Sequence, residues 1–393
     1  MPCLALVSSN TSSTLTFGST TNQQTISASS LPTYTNITVD NTNVSGVTVS
    51  GGAKIQMTGA LAITNGKFTT DTLALTGTTA QTVTLTPAAS EINVQNFRLS
   101  NAAGVTFSGS GFMNVSNRIG FGAINSGTIA SAGRINLKSS ATNTSRVADI
   151  TNGGLNTGNA ISGNVTVERF LPARRAWRFL TAPITQATPS KLNTTWKTIV
   201  DIVGPSGSPN LTQVKPFHNF LEYNSAGDSW TNVEDPNAID LTGTTHNKAF
   251  GAFIPGPLAT ADNTSANVTL SSTGALLTGD KSFTSSFASG KYILIPNPYA
   301  SPVNLETIFT GSTGINPLGT IYTWDPRLGG GSGTGGYITI QRNSVNNFTI
   351  TGGATGQKEF VQSGQAFFVQ ANASTQNIVF TEAAKSRRDS VVV

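Results

Sequence analysis

The feature that most constrains the fold of this chain is an internal repeat in its first half. The stretch NITVDNTNVSGVTVSG at 36–51 returns as NFRLSNAAGVTFSG at 96–109. Upstream of each, TTNQQTI at 20–26 returns as TTAQTV at 78–83, so the order of the segments is kept at an offset of 57 to 60 residues. Self-similarity at a fixed offset indicates a structural unit that is stacked on copies of itself.

Short alternating runs fill the two copies, among them ITV, VTV, KIQM and TVTL, and most are followed by Gly, Asn or Ser. Such runs are typical of short β-strands with one buried face, in a β-solenoid or an array of sandwiches. We predict a solenoid similar to a parallel β-helix; if each copy holds three rungs, a rung is about 20 residues long. Val47 and Val105 should then occupy equivalent coil positions, and Thr and Asn should share hydrogen bonds between rungs.

Composition changes near residue 163. All four tryptophans, both histidines and fourteen of the seventeen prolines follow this point. The change predicts two domains, a solenoid repeat domain at 1–163 and a second β domain at 164–393. Charged residues are only 10% of the chain, and the abundance of small polar and β-branched residues favours an all-β fold in both parts.

The second part has longer strand-like runs with Pro- and Gly-rich corners, which predicts a β-sandwich or jelly roll. The segment LGGGSGTGGY lies between two of these runs and is expected to be a hairpin loop. The best helix candidates are 190–200, with Ser190 as N-cap, and 306–310.

Four phrases in this part resemble a recurring module of large secreted proteins of Bacteroidetes: ISGNVTVERFLPARRAWRFLTAPI, IPNPYASPVN, IYTWDP and QSGQAFFVQ. In that family a solenoid-like region precedes the module, and a sorting domain for type IX secretion commonly closes the chain. The final residues FTEAAKSRRDSVVV contain no such sorting domain. The resemblance implies an adhesin or a surface-layer component, and it carries no activity over to particular residues.

The remaining composition excludes several classes of protein. The net charge is +5 without a dense Lys/Arg stripe, which argues against a nucleic-acid partner. The single cysteine, Cys3, allows no intrachain disulfide, and neither a signal peptide nor an apolar run long enough for a membrane span is visible. The small polar composition, rich in Gly, Ser, Thr and Asn, favours an extracellular or cell-surface location.

Catalytic and metal-binding residues are scarce. His218 and His246 lie in KPFHNF and TTHNKAF without a nucleophile motif nearby. The densest acidic cluster, VEDPNAID at 233–240, has the composition of a turn rather than a glycosidase pair. We therefore expect no enzymatic activity and no cofactor. Calcium binding is the one alternative, since Asp235 and Asp325 lie in predicted loops and could supply oxygen ligands.

Aromatic residues in the second part are candidates for contact with sugar rings, chiefly Trp230, Tyr322 and Trp324. In IYTWDP, Tyr322 and Trp324 share one strand face, opposite Ile321 and Thr323. Alternation alone does not distinguish a binding surface from a sandwich core.

The segment ARRAWRFLTAPI concentrates arginines in a chain that is otherwise poor in charge. Read as a strand, it places Trp177 and Phe179 on one face and Arg174 and Arg178 on the other. We interpret Trp177 as a core residue, and Arg174 and Arg178 as a structural latch whose guanidinium groups bind carboxylates or backbone carbonyls. An anionic-ligand site and plain solvated side chains are the alternatives.

Together these observations predict a non-enzymatic, extracellular structural or adhesin-type surface protein. Its partners would be other surface proteins or glycans, and self-assembly is also open. The alternative is a carbohydrate-binding protein whose site lies in the sandwich. A polysaccharide-degrading enzyme is disfavoured because acidic residues are few.

Overall fold

The computed structural model describes residues 13–27, 33–261, 264–329, 334–352 and 359–386. Its contacts divide the chain into two compact units. The first unit consists of Met1–Lys138, Ser145–Thr166 and Thr273–Leu276. The second consists of Ser139–Thr144, Val167–Ser272 and Leu277–Val393.

The first stretch of the chain forms strands β1 to β16. They are Thr14–Ser19, Gln24–Ile26, Thr33–Tyr34, Asn36–Asn41, Val47–Val49, Lys54–Met57, Leu61–Leu75, Gln81–Leu85, Glu91–Leu99, Val105–Gly109, Phe112–Phe121, Thr128–Ala130, Ile135–Leu137, Arg146–Val147, Ala160–Ser162 and Asn164–Leu171. A single 3₁₀ turn, Ser50–Gly52, follows β5.

Strands β1 to β15 pair in parallel around a β-solenoid of about five turns, as predicted. Each turn has three faces. The first face contains β1, β4, the start of β7, β8, β10, β12 and β15. The second contains β2, β5, the middle of β7, the starts of β9 and β11, and β13. The third contains β3, β6, the ends of β7, β9 and β11, and β14.

Apolar side chains stack along the inside of the coil. On the first face Ile37 pairs with Leu61, then Val83, then Phe107, and each is at most 1% exposed. Phe107 also packs edge-on against Phe97 with the ring centroids 5.7 Å apart. Because strand side chains alternate in direction, the intervening Thr and Asn residues point outward. The alternating runs of the sequence therefore become one continuous apolar core.

The outward positions of the second face form a polar ladder in the order Thr25, Thr48, Thr69, Asn93, Asn114 and Asn136. The side-chain amide of Asn114 donates to Oδ1 of Asn93 at 3.0 Å, and that of Asn136 donates to Oδ1 of Asn114 at 3.0 Å. The predicted sharing of hydrogen bonds between rungs is confirmed along this row.

The predicted rung length was wrong. Successive partners in the ladder, from Thr25 to Asn136, are 21 to 24 residues apart rather than about 20. An offset of 57 to 60 residues is therefore not a whole number of turns. Val47 and Val105 both point inward and are at most 3% exposed, but Val47 lies on the second face and Val105 on the first. Their coil positions are not equivalent.

The sequence repeat instead encodes a corner between two faces. The side-chain amide of Asn41 donates to Oε1 of Gln24 at 3.0 Å, and that of Asn101 donates to Oε1 of Gln81 at 2.9 Å. Each asparagine is followed by a glycine of positive φ, Gly46 at 60° and Gly104 at 83°. The carbonyl of that glycine accepts from the backbone N–H of the same glutamine, at 3.1 Å in both corners.

The second unit contains strands β17 to β33 and helix α1. The strands are Trp177–Thr181, Ile184–Thr185, Val203–Gly204, Gln213–Val214, Phe220–Asn224, Ser229–Asn232, Ala249–Phe253, Val268–Leu276, Lys281–Ser285, Tyr292–Pro296, Val303–Asn304, Thr320–Asp325, Gly336–Ser344, Asn347–Thr351, Phe360–Val361, Ala366–Gln370 and Gln376–Phe380. Strand β24 ends in residues of the first unit. Helix α1 is Leu305–Gly311, and 3₁₀ turns occupy Leu192–Thr194, Trp196–Thr198 and Glu382–Ala384.

Two antiparallel sheets form the body of this unit, in agreement with a sandwich. One has the order β17-β23-β21-β22 and the other β26-β32-β28-β29-β30. Phe179 of the four-stranded sheet meets Phe368 of the five-stranded sheet edge-on, with the ring centroids 5.3 Å apart. The opposite face of the five-stranded sheet carries a second apolar core that includes Ile308 of α1. Strands β28 and β29 pair antiparallel, and the middle of the predicted hairpin loop between them, at 330–333, lies outside the described residues.

The helix predictions had mixed outcomes. Helix α1 covers the predicted segment, and the side chain of Asn304 caps it by accepting the N–H of Glu306 at 2.9 Å. Residues 190–200 form two 3₁₀ turns rather than an α-helix, and Ser190 does not cap them. The backbone of Thr195, with φ −122° and ψ −95°, interrupts the segment between the two turns. No helix in the described ranges is long and apolar enough to cross a membrane.

Glu306 and Arg342 form a buried ion pair with distances of 2.9 Å and 2.6 Å for its two hydrogen bonds. Arg342 lowers the pKa of Glu306 below its ordinary value of 4.5. A carboxyl group with a depressed pKa in the folded state stabilises that state above its unfolded pKa, and this contribution is lost as the pH falls through the folded pKa.

We therefore expect the melting temperature of the second unit, followed by tryptophan fluorescence, to decrease as the pH falls below 4.5. Glu306→Gln should lower the melting temperature at neutral pH and flatten its acid dependence. Glu222→Gln, at a partly buried acid of β21, is the control and should leave the pH profile unchanged. An unaltered acid dependence in Glu306→Gln would contradict the assignment.

Candidate functional site

The three aromatic residues predicted to contact sugars belong to one layer between the two sheets of the second unit. Trp230 lies on β22, and Tyr322 and Trp324 lie on β28. Phe179 is 5.5 Å from Trp230 and 5.6 Å from Trp324 between ring centroids. We define the aromatic layer as Phe179, Tyr223, Trp230, Tyr292, Tyr322, Trp324, Tyr337 and Phe368.

The layer is mostly covered. Trp230, Tyr322 and Trp324 are partly buried, and Tyr337 at its edge is 48% exposed. Ile321 and Thr323 alternate with the two aromatic residues of β28 and are fully buried on the opposite face. The three predicted residues are thus brought together, but chiefly by packing against other rings.

Close approach of two rings in this layer depends on a glycine. Gly251 pairs with Phe179 across the sheet, and a Cβ added there would lie 2.8 Å from the indole of Trp230. Any larger residue would push Trp230 away from Phe179. The glycine therefore lets the two rings pack over the sheet.

Asp228 holds one end of the layer in place. Its Oδ1 accepts the hydroxyl of Tyr223 at 3.2 Å and the N–H of Tyr292 at 3.0 Å, while Lys291 lies 3.0 Å from Oδ2. The hydrogen bond from Tyr292 and then Lys291 lower the pKa of Asp228. Burial, followed by Asp228, raises the pKa of Tyr223 to about 12. Tyr223 consequently remains a protonated donor at neutral pH.

The arginines of β17 and the preceding loop contact backbone carbonyls. Arg178 is 3% exposed, and its guanidinium donates to Ile254 at 2.9 Å and to Pro172 at 3.0 Å. Arg174 is partly buried and donates to the carbonyl of Arg327 at 3.1 Å. Burial, and then repulsion from Arg169 and Arg174, lower the pKa of Arg178 to about 10. The guanidinium therefore stays charged at neutral pH.

Trp177 is not the core residue that the sequence predicted. It is only partly buried, at the first position of β17, and its ring meets Phe253 with the centroids 5.8 Å apart. Phe179, two positions later on the same face, is 5% exposed beneath Phe368. The aromatic layer therefore buries Phe179, whereas Trp177 lies at its edge and remains partly exposed.

The exposed part of Trp177 lines an open groove of about 770 Å³. We name this the Trp177 groove. The residues that line it are Trp177, Pro205, Ser206, Gly207, Ser208, Pro209, Pro216, Phe217, His218, Leu221, Asn232 and Glu234. The sequence reasoning did not identify it, although three prolines within twelve residues at 205–216 indicate a rigid loop.

Glu234 is the carboxylate of the groove. Its Oε2 lies 3.0 Å from Nε2 of His218 and accepts the hydroxyl of Ser208 at 3.3 Å. A Ser-His-acid triad requires the imidazole between the hydroxyl and the carboxylate. In this structure the carboxylate lies between the other two groups, which is not the order in which a triad activates a serine hydroxyl.

The other acids weighed as a catalytic pair have separate partners. Asp235 accepts the side-chain amide of Asn210 at 2.8 Å, and Asp240 lies 2.6 Å from Nζ of Lys191. His246 packs against the ring of Phe283, with the centroids 4.6 Å apart, and burial followed by Lys281 lowers its pKa. Asp235 and Asp240 are thus paired with different residues, and His246 is packed against an aromatic ring.

Asp325, considered for calcium, is fully buried and contacts its own loop. Its Oδ1 accepts from the backbone N–H of Arg327 at 2.7 Å, and its Oδ2 accepts from the guanidinium at 3.0 Å. Within the described ranges, no three His, Cys, Asp or Glu side chains are grouped so that they could hold a metal ion. The carboxylate of Asp325 therefore serves to close the turn after β28.

Comparison with protein families gives one match. The family model of a domain of unknown function, DUF8693, matches residues 193–391, slightly more than half of the chain. The match includes Leu221, Asn232 and Glu234 of the groove, whereas Trp177 precedes it. Searches of curated proteins and of solved structures found no match.

Proposed function

We propose that this chain, which belongs to the family of the domain of unknown function DUF8693, is a non-enzymatic structural or adhesive protein of the cell surface. In this proposal the solenoid is a rigid spacer, and the second unit makes the contacts with a partner. The resemblance to secreted modules of Bacteroidetes supports the location.

The observation that carries the proposal is the continuity of the solenoid. One apolar stack and one polar ladder run through successive turns, as from Thr25 to Asn136. In a solenoid each turn contacts only its neighbours, so stability grows along the axis without a closed globular core. Such a rod is suited to separating a binding unit from the surface that carries it.

Antibodies against the second unit test the location. They should label intact cells of the native host, and labelling should disappear after brief treatment of intact cells with protease. A control antibody against a cytoplasmic protein should label permeabilised cells only. Labelling of the chain only after permeabilisation would reject a surface role.

A carbohydrate-binding function is the second candidate. It is favoured by the Trp177 groove, which combines a partly exposed indole with an exposed carboxylate and amide, because ligand sites commonly pair an apolar surface with a few convergent polar groups. Binding of the intact chain to a glycan array tests it. The release of reducing sugar ends from any bound polysaccharide would contradict the non-enzymatic assignment.

A further inference from the structure

The Trp177 groove is the uncovered continuation of the aromatic layer. Each groove residue of the four-stranded sheet lies two positions from a covered aromatic residue on the same strand. Trp177 precedes Phe179, Leu221 precedes Tyr223, and Asn232 follows Trp230. Side chains two positions apart on a strand share a face, so the groove residues and the aromatic layer lie on the same face of the sheet. Phe368 packs on the aromatic layer and leaves the groove residues uncovered.

The other wall of the groove comes from the segment at 205–218, which includes β20. Phe217 in this segment is 50% exposed and lines the groove together with Trp177, so two aromatic side chains are accessible there. Prolines at 205, 209 and 216 fix three backbone φ angles. A wall that is already rigid loses little conformational entropy when a ligand binds.

Polar groups converge between the two walls. Glu234 has a side chain that is 63% exposed, and its Oε2 accepts the hydroxyl of Ser208 and lies 3.0 Å from Nε2 of His218. Asn232 is exposed next to it on the edge strand β22. The carboxylate is an acceptor, and the amide is both a donor and an acceptor. Together they suit the adjacent hydroxyl groups of a sugar, each of which both donates and accepts.

The charge of the lining residues disfavours an anionic ligand. Glu234 lines the groove, and no Lys or Arg is among the lining residues that the structure describes. An acidic glycan, a nucleic acid or a phosphorylated peptide would meet the carboxylate of Glu234 without a lysine or arginine in that lining to compensate it. A neutral ligand with an apolar face and hydroxyl edges meets both kinds of surface.

We propose that the Trp177 groove binds a neutral oligosaccharide or polysaccharide chain. The indole of Trp177 and the ring of Phe217 pack against the C–H faces of the sugar rings, and Glu234 and Asn232 bind the hydroxyl groups. This inference rests on the carbohydrate-binding candidate and assigns its site to the groove rather than to Trp230, Tyr322 and Trp324.

Isothermal titration of the intact chain tests the site. The probes are neutral hexasaccharides of glucose, mannose, xylose and N-acetylglucosamine, with oligogalacturonate as the anionic comparison. We expect at least one neutral probe to bind, with a change in tryptophan fluorescence because Trp177 lies at the site. Trp177→Ala and Phe217→Ala should each raise Kd about tenfold or more, as is common for a central aromatic contact.

Leu318→Ala is the matched control, because Leu318 is 51% exposed in the second unit and does not line the groove. It should leave Kd unchanged. Phe217→Ala removes a half-exposed side chain, so it is expected to fold and carries the test if Trp177→Ala melts early. Binding that survives Phe217→Ala undiminished would overturn the groove assignment alone. The absence of binding to every neutral probe, or a preference for oligogalacturonate, would overturn the carbohydrate-binding candidate as well.

Discussion

Replacing Arg178 by alanine should lower the free energy of unfolding of the second unit by about 3–5 kcal/mol, the combined cost of unsatisfied buried acceptors and a cavity. The side chain is 3% exposed. Its hydrogen bonds go to the backbone carbonyls of Pro172, Arg174, Ala176 and Ile254. Alanine would leave these acceptors without the guanidinium and create a cavity on the buried side of β17, and both effects favour the unfolded state.

Denaturant unfolding followed by tryptophan fluorescence measures this effect, because all four tryptophans lie after residue 163 and report on the second unit. Arg178→Lys should cost about 1–3 kcal/mol, since an ammonium group cannot reach carbonyls on both sides as a planar fork does. Arg175→Lys is the matched control, because Arg175 is exposed, and it should change stability by less than about 0.5 kcal/mol. Equal stability of the Arg178 and Arg175 variants would remove the structural role of Arg178.

The pattern of residues in ARRAWRFLTAPI predicted part of this arrangement. Alternation placed Arg178 opposite Trp177 and Phe179, and the structure keeps them on opposite faces of β17. Burial could not be read from the segment, because Phe179 is covered by Phe368, nearly two hundred residues later in the sequence. Trp177 has the same residue class and the same face, but it lies outside that cover. Local pattern predicts the face, whereas the distant partner strand determines which residue becomes core and which lines a groove.

The same limit explains the predicted aromatic site. Tyr322 and Trp324 were assigned to one face of a strand, and they lie there together. Whether that face is buried or exposed depends on the pairing of β28 with β32 and on the packing of the four-stranded sheet against it. The groove escaped prediction because its residues come from a strand start, an edge strand and a proline-rich loop that no short motif connects.

In the solenoid, the period of strands was easier to predict than the period of turns. Alternating Thr and Val residues predict inward and outward positions directly. The length of a turn of the solenoid depends on its corners, which the alternation does not define. The corner at Asn41 joins the first face to the second, whereas the similar corner at Asn101 joins the third face to the first. A repeat of local corner chemistry was therefore misread as a repeat of whole rungs. The equivalence of those two corners is itself open to measurement.

Asn41→Ala and Asn101→Ala should destabilise the first unit by similar amounts, about 2–4 kcal/mol each, because each removes buried hydrogen bonds and leaves their partners unsatisfied. Asn41 and Asn101 are at most 1% exposed. Both donate to a glutamine and to a backbone carbonyl, and both accept the N–H two residues later at 2.9 Å. The transition of the first unit can be followed by calorimetry, with the tryptophan signal marking the second unit separately.

Val44→Ala, at a corner side chain that is 81% exposed, is the control and should change stability by less than about 0.5 kcal/mol. Asn101→Ser should be nearly as unstable as Asn101→Ala. A serine side chain is polar but short, so its hydroxyl cannot reach both Gln81 and the backbone of the turn. If Asn41→Ala were neutral while Asn101→Ala destabilised strongly, the two corners would not be energetic equivalents. Similar losses at both would show that one corner, used on different sides of the coil, underlies the repeat in the sequence.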